Sequence, residues 1–153
     1  MLKFALVGCG RISKRHGELL GENQISCAQL VAVCDKVLDK ARIIADKYNI
    51  PAYNDMHEMM KLELIDVVVV LTESGLHAQH TIELAPYGAH IMVEKPMALT
   101  LDDADNMIEA CDTYGVKLFV VKQNRFNVPI VQLRKALEDG RFGKLIMGTV
   151  RVR

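Results

Sequence analysis

Two kinds of segment alternate along the chain. Residues 4–7, 30–33, 67–71, 90–93 and 118–121 are short apolar runs rich in β-branched side chains. They are apolar without interruption rather than alternating, which predicts strands covered on both faces. Between them, apolar positions recur with helical period. Leu38, Ala41, Ala45 and Tyr48 form one stripe over 38–48, and a further helix is expected through His16 and Leu20. Thr100 with Asp103 predicts an acidic N-terminal cap. Met107, Ile108, Cys111 and Tyr114 form the expected buried face of the helix that follows, and Gly115 its stop. Strand–helix alternation with short loops predicts an α/β fold, a doubly wound parallel sheet with right-handed crossovers and helices on both faces.

The C-terminal stretch has a different pattern. Residues 129–138 read as a helix with Ile130, Leu133 and Leu137 on one side, stopped by Asp139-Gly140. Residues 145–153 read as a strand, alternating from Met147 onward. A half-buried strand needs a sheet, so 126–153 is expected to be a helix and first strand leading into a further C-terminal α/β domain that the chain does not contain. Residues 1–125 then form the first domain.

Composition narrows the class. The 153 residues are 50% hydrophobic and 25% charged, which excludes a disordered chain and fits one domain, or one and a fragment. Lys plus Arg and Asp plus Glu are 19 each, so no electrostatic footprint for nucleic acid or an anionic membrane is present. Cys9, Cys27, Cys34 and Cys111 contain no CxxC pair, against a disulfide scaffold or a zinc site. The N-terminus lacks the basic region and cleavage site of a signal peptide, and the longest apolar run, 67–71, is far short of a membrane span. A reduced, cytoplasmic protein is expected, with small molecules rather than nucleic acid or membrane as partners.

Candidate chemistry begins directly after the first run, at Gly8-Cys9-Gly10-Arg11-Ile12-Ser13. This fits G-x-G-x-x-G/A with Ser13 in the last place. The first glycine permits the tight turn, the second lets the backbone approach a pyrophosphate, and the third position needs only a small side chain for helix–strand packing. The following helix N-terminus offers unpaired amides and partial positive charge to an anion. Asp35, 25 residues beyond Gly10, ends the second run, where a carboxylate can accept hydrogen bonds from adenosine ribose hydroxyls. It would repel a 2′-phosphate, favouring NAD, whereas the neighbouring Lys36 could tolerate one and keeps NADP open. The bland alternative is a glycine-rich turn plus a surface acid. Cys9 stands where a helix N-terminus can lower a thiol pKa, and is read as a small loop-filling residue in preference to a redox centre.

A second constellation, Glu94-Lys95-Pro96, follows the run 90–93. Ligands bind at the carboxyl edge of open α/β sheets. A lysine there can hydrogen-bond a substrate hydroxyl, and Pro96 restricts the residue that carries it. A solvated Lys-Pro turn is the alternative. His77 and His80, with Glu83, fall short of a metal ligand set; one cofactor contact and one ordinary helix histidine are expected. Met56, Met59 and Met60 read as a packing face, and Asp102, Asp103 and Asp105 as a helix N-terminal charge complement.

Taken together, the glycine turn, Cys34-Asp35, T-x-x-x-x-H at Thr72 to His77, Glu94-Lys95-Pro96 and Gln123-Asn124-Arg125 resemble the Gfo/Idh/MocA oxidoreductase family. The likeness covers the chain as that family's N-terminal, Rossmann-type NAD(P)-binding domain. It implies oxidation or reduction of a sugar or cyclitol hydroxyl with NAD as cofactor, NADP remaining open. On the same basis Gly8, Gly10, Arg11, Ile12, Asp35 and Lys36 are expected as dinucleotide contacts, and Thr72, Ser74, His77 and Glu94 flank the nicotinamide side. Gln123 is expected beside the cofactor, Lys95 as the catalytic or substrate-orienting lysine, and Asn124 and Arg125 on the substrate side. The segments from Lys122 to Pro129 and from Gly143 onward resemble a branch acting on UDP-N-acetylglucosaminuronate at its 3-hydroxyl, in surface polysaccharide synthesis. The family implies a homo-oligomer.

Two departures stand out. Thr72-Glu73-Ser74 occupies the place of the family's frequent Thr-Pro-Asn. The family's second-domain Asp/His pair has no counterpart, so a catalytically inert NAD-binding fragment or sensor module stays open. An S-adenosylmethionine-dependent methyltransferase shares the glycine turn and acid but leaves Glu94-Lys95-Pro96 unexplained.

Overall fold

A computed structural model describes residues 1–151. Six strands, β1 (Leu2–Val7), β2 (Ala28–Cys34), β3 (Ala52–Tyr53), β4 (Val67–Val70), β5 (His90–Val93) and β6 (Leu118–Val120), form one parallel sheet in the order β3-β2-β1-β4-β5-β6. This is the doubly wound order expected from strand–helix alternation, and the order reverses between β1 and β4. The connecting helices are α1 (Ser13–Gly21), α2 (Leu38–Tyr48), α3 (Met56–Leu62), α4 (His77–Leu84) and α5 (Leu101–Thr113), with α6 (Val128–Glu138) after the last strand. The residues form two compact units, Met1–Val121 and the remainder from Lys122.

Both sheet faces of the first unit are covered, as uninterrupted apolar strands require. On one side Ala5, Val7, Ala32, Cys34, Val68, Val70, Ile91 and Val93 pack with Met56, Met59 and Met60 of α3, Leu84 of α4, and Met107 and Cys111 of α5. On the other, Leu6, Leu30, Val33 and Val69 pack with Leu20 of α1 and with Ala41, Ile44 and Ala45 of α2. In β2 the register slips between Phe4 and Ala5: Leu30 pairs with Phe4 and Ala32 with Ala5, leaving Val31 as an extra residue. This bulge turns Ala28 and Leu30 to the α1/α2 side and Ala32 and Cys34 to the other.

Some expectations need correction. The edge strand β3 has no apolar run to announce it; its residues are half-buried and only two long. In α5 the Thr100 hydroxyl caps the Asp103 amide at 3.0 Å as expected. Met107 and Cys111 are buried, but Ile108 and Tyr114 are 46% and 52% exposed. Ile108 lies one residue round from Met107, off the i, i+4 row that meets the sheet, and Tyr114 continues that row only as the C-cap, where α5 has ended. In the second unit α6 forms as expected, with Ile130, Leu133 and Leu137 exposed. Residues 145–151, expected as a strand, form none, and residues 152 and 153 of that expectation lie outside the described residues. Alternation marks a strand only where a neighbour pairs its backbone groups. Among the described residues no helix is long and apolar enough to cross a membrane.

Candidate functional site at the carboxyl edge of the sheet

In a parallel sheet every strand delivers its next loop to the same edge. The turn after β1 opens at Gly8, with φ +98°. A Cβ there would lie 2.7 Å from the Leu71 carbonyl carbon and 2.8 Å from the Thr72 nitrogen, so the ends of β1 and β4 approach where only glycine fits. The Gly8 amide donates to the Cys34 carbonyl at 2.8 Å, tying the turn to β2. Ser13 is buried and its hydroxyl donates to the Gly10 carbonyl, closing the turn. A Cβ at Gly10, by contrast, would meet nothing within 4 Å. Gly10, Arg11 and Ile12 are exposed, and α1 starts at Ser13 without a side-chain cap on its amides. Open space over the second glycine and an uncapped helix N-terminus fit the pyrophosphate of a dinucleotide.

Asp35 follows β2. One carboxylate oxygen accepts from the Cys9 amide at 2.7 Å and the other from the Val37 amide at 2.8 Å. The acid therefore organises the glycine turn and the entry to α2, and each oxygen keeps a second lone pair for a hydroxyl donor. The side chain is half-buried and Lys36 beside it is exposed. Gly8, Asp35 and Lys36 line a cleft with Asp55, His57 and His80. Cys9 packs under the turn with its Sγ 3.6 Å from the Cys34 carbonyl oxygen. Burial, reinforced by Asp35, pushes both thiols up to about 12. Burial thus overrides the helix N-terminus, and Cys9 is a filler, as favoured from the sequence.

The loops after β4 and β5 meet through side chains. The Lys95–Pro96 peptide bond is cis, and Lys95 is exposed. Glu94 is 7% exposed; one oxygen accepts from the Lys95 amide at 3.0 Å and the other lies 3.1 Å from His16 Nε2 on α1. His77 is 1% exposed, with Nδ1 2.7 Å from the Pro96 carbonyl oxygen and Nε2 3.0 Å from that of Thr72. The Thr72 hydroxyl lies 3.0 Å from His80 Nδ1, and burial lowers the His80 pKa. Ser74 is half-buried in a short 3-10 turn, Ser74–Leu76. Among the described residues no group of three metal-ligating side chains could hold a metal ion.

Of the residues singled out from the sequence, Gly8, Gly10, Arg11, Ile12, Asp35, Lys36, Thr72, Ser74, Glu94 and Lys95 all stand on loops at this one edge. His77 begins α4 at the same edge, but both ring nitrogens are engaged by backbone carbonyls. Gln123, Asn124 and Arg125 form a 3-10 turn, Gln123–Phe126, in the second unit. Sequence reasoning missed His16, whose partner is 78 positions away.

A doubly wound sheet with a glycine turn at its switch point and an acid ending β2 defines a dinucleotide-binding domain. Residues 2–122 match the model of the Gfo/Idh/MocA oxidoreductase family, NAD-binding Rossmann fold, and the chain belongs to that family. Inositol 2-dehydrogenase of Salmonella typhimurium is 32% identical over 149 residues, 95% of this chain and 44% of the relative. D-glucoside 3-dehydrogenase of Escherichia coli is 32% identical, over 98% of this chain and 43% of its own length. Among solved structures, the WlbA dehydrogenase of Bordetella pertussis, in complex with NADH and UDP-GlcNAcA, is 40% identical. Its TM-score is 0.88, over 94% of this chain and 43% of that one. The chain thus spans less than half the length of the relatives it matches.

Proposed function

We propose that this chain is the NAD-binding part of a dehydrogenase acting on a hydroxyl of a sugar or nucleotide sugar. The observation that carries the reading is a lysine turn on the same sheet edge as the glycine turn. Gly8, Gly10, Arg11 and Ile12 would hold the pyrophosphate, Asp35 with Lys36 the adenosine ribose, and Thr72, Ser74, Glu94 and Gln123 the nicotinamide side. When bound, the cofactor supplies the hydride acceptor or donor. Lys95 does the rest of the chain's chemistry. Its ammonium orients the substrate hydroxyl and stabilises negative charge developing on that oxygen, with Asn124 and Arg125 on the substrate side. The 40% identity to a dehydrogenase solved with NADH and UDP-GlcNAcA supports UDP-N-acetylglucosaminuronate as the substrate, and the sequence resemblance implies its 3-hydroxyl as the reacting position. Residues 126–153 would lead into a substrate-binding and oligomerisation domain of a cytoplasmic homo-oligomer.

Titration of the chain with NADH and NADPH tests the site. Saturable NADH binding is expected, with NADPH weaker by about tenfold or more because Asp35 opposes a 2′-phosphate. Binding of S-adenosylmethionine in place of NADH refutes the reading. A second experiment addresses Lys95: Lys95→Met should leave NADH affinity within about threefold while turnover by the protein carrying it falls by at least ~100-fold.

A further inference from the structure

The exposed Lys95 side chain projects from a backbone that is fixed at both ends by buried groups. At the near end, the Lys95 amide donates to Glu94, whose other oxygen meets His16 Nε2 at 3.1 Å. At the far end, the Pro96 carbonyl faces His77 Nδ1 at 2.7 Å. Glu94 and His77 are 7% and 1% exposed, and polar groups buried that deeply are costly unless hydrogen-bonded. His77 meets only carbonyl oxygens, so the ring must donate, and a neutral imidazole donates from one nitrogen alone. His16 meets a carboxylate and donates from Nε2. The two histidines come from different helices. His16 lies on α1, which starts at the glycine turn, and His77 opens α4 after the loop from β4.

We propose that His16 and His77 are positioning residues for Lys95, a bracket of two imidazoles that fixes the Lys95–Pro96 backbone through the Glu94 carboxylate and the Pro96 carbonyl. The inference rests on Lys95 being the substrate-facing lysine. Neither ring acts on substrate directly; each acts through the group it holds. Because α1 carries both the uncapped amides and His16, the element that would bind the cofactor also sets where the lysine stands.

Amide hydrogen exchange followed by NMR on the 153-residue chain tests the bracket. The Lys95 amide should be protected in the unmodified protein. In His16→Ala it should exchange at least about tenfold faster, while the Val68 amide of β4 stays protected. His16→Gln, which can still present an N–H to Glu94, should restore the Lys95 rate to within about threefold of the original. At the far end, His77→Asn keeps a donor near the Nδ1 position and should protect Lys95 better than His77→Phe. The bracket is refuted if the Lys95 amide of the unmodified chain exchanges at the free-peptide rate, a measurement needing no variant. An unchanged rate in His16→Ala, or a His16→Gln no slower than His16→Ala, refutes it equally. NADH titration of the unmodified chain runs alongside: failure to bind removes the dinucleotide reading, while the exchange data still judge the bracket.

Discussion

The glycine turn after β1 and the lysine turn after β5 occupy the same sheet edge and are built in opposite ways. The first is made of backbone. Gly8 takes a conformation and a closeness that side chains forbid, Gly10 leaves open space, and one acid, Asp35, pins two amides. The second is made of side chains, two of them drawn from other places in the chain: Glu94 of the turn holds the Lys95 amide, His16 holds Glu94, and His77 holds the Pro96 carbonyl. A backbone-built turn presents amides to an anion with no moving parts. A bracketed turn presents one mobile cation from a fixed base. The contrast matches the two tasks proposed for them, gripping a diphosphate and reaching for a hydroxyl.

Substitutions can break this contrast in graded steps. Gly8→Ala should be the most damaging. A Cβ at 2.7 Å from the Leu71 carbonyl carbon, added to a positive φ, combines overpacking with backbone strain at a cost of about 3 kcal/mol or more in urea unfolding. Gly10→Ala sharpens the comparison from the other side. Its Cβ meets no protein atom, so stability should change by less than about 1 kcal/mol, while NADH affinity falls by about tenfold or more. If Gly10→Ala binds NADH normally, the open space above the turn is not where the diphosphate lies. The smallest effect belongs to His80, beneath the loop between the two turns. Burial lowers its pKa from the ordinary 6.5, so the unfolded chain takes up the proton first as the pH falls. The stability contributed by the neutral ring is full above 6.5 and is lost progressively below it. His80→Gln should therefore flatten the acid side of a thermal-stability profile by less than about 1 kcal/mol, and a steeper profile would contradict burial as the cause.

The difference between the turns also explains what the sequence disclosed. Features written in local chemistry were legible: the bounds of α2 from its stripe, the Thr100 cap, the glycine turn, the acid ending β2. Features that depend on remote partners were not. His16 is an unremarkable helix residue until Glu94 arrives from 78 positions away, and His77 shows its two carbonyl partners only once the loops after β4 and β5 are side by side. Ile108 is apolar but lies off the narrow row by which α5 meets the sheet, and Tyr114 extends that row only after the helix has ended. From Met147 onward the chain alternates as a strand does, yet pairing rather than pattern makes a strand, and residues 145–151 form none. The affiliation with the family, in turn, rested on several local motifs holding the right order along the chain.

The extra residue in β2 carries a last implication, for lineage rather than chemistry. With Val31 bulged out, Ala28 and Leu30 are claimed by one hydrophobic layer and Ala32 and Cys34 by the other, while Asp35 still emerges level with Gly8. Removing Val31 would join Leu30 to Ala32, and plain alternation would then keep Ala28, Leu30 and Val33 in one layer and Ala32 and Cys34 in the other, with Asp35 still level with Gly8. Descendants of this sequence are therefore free to lose residue 31, giving up the bulge and keeping both layers.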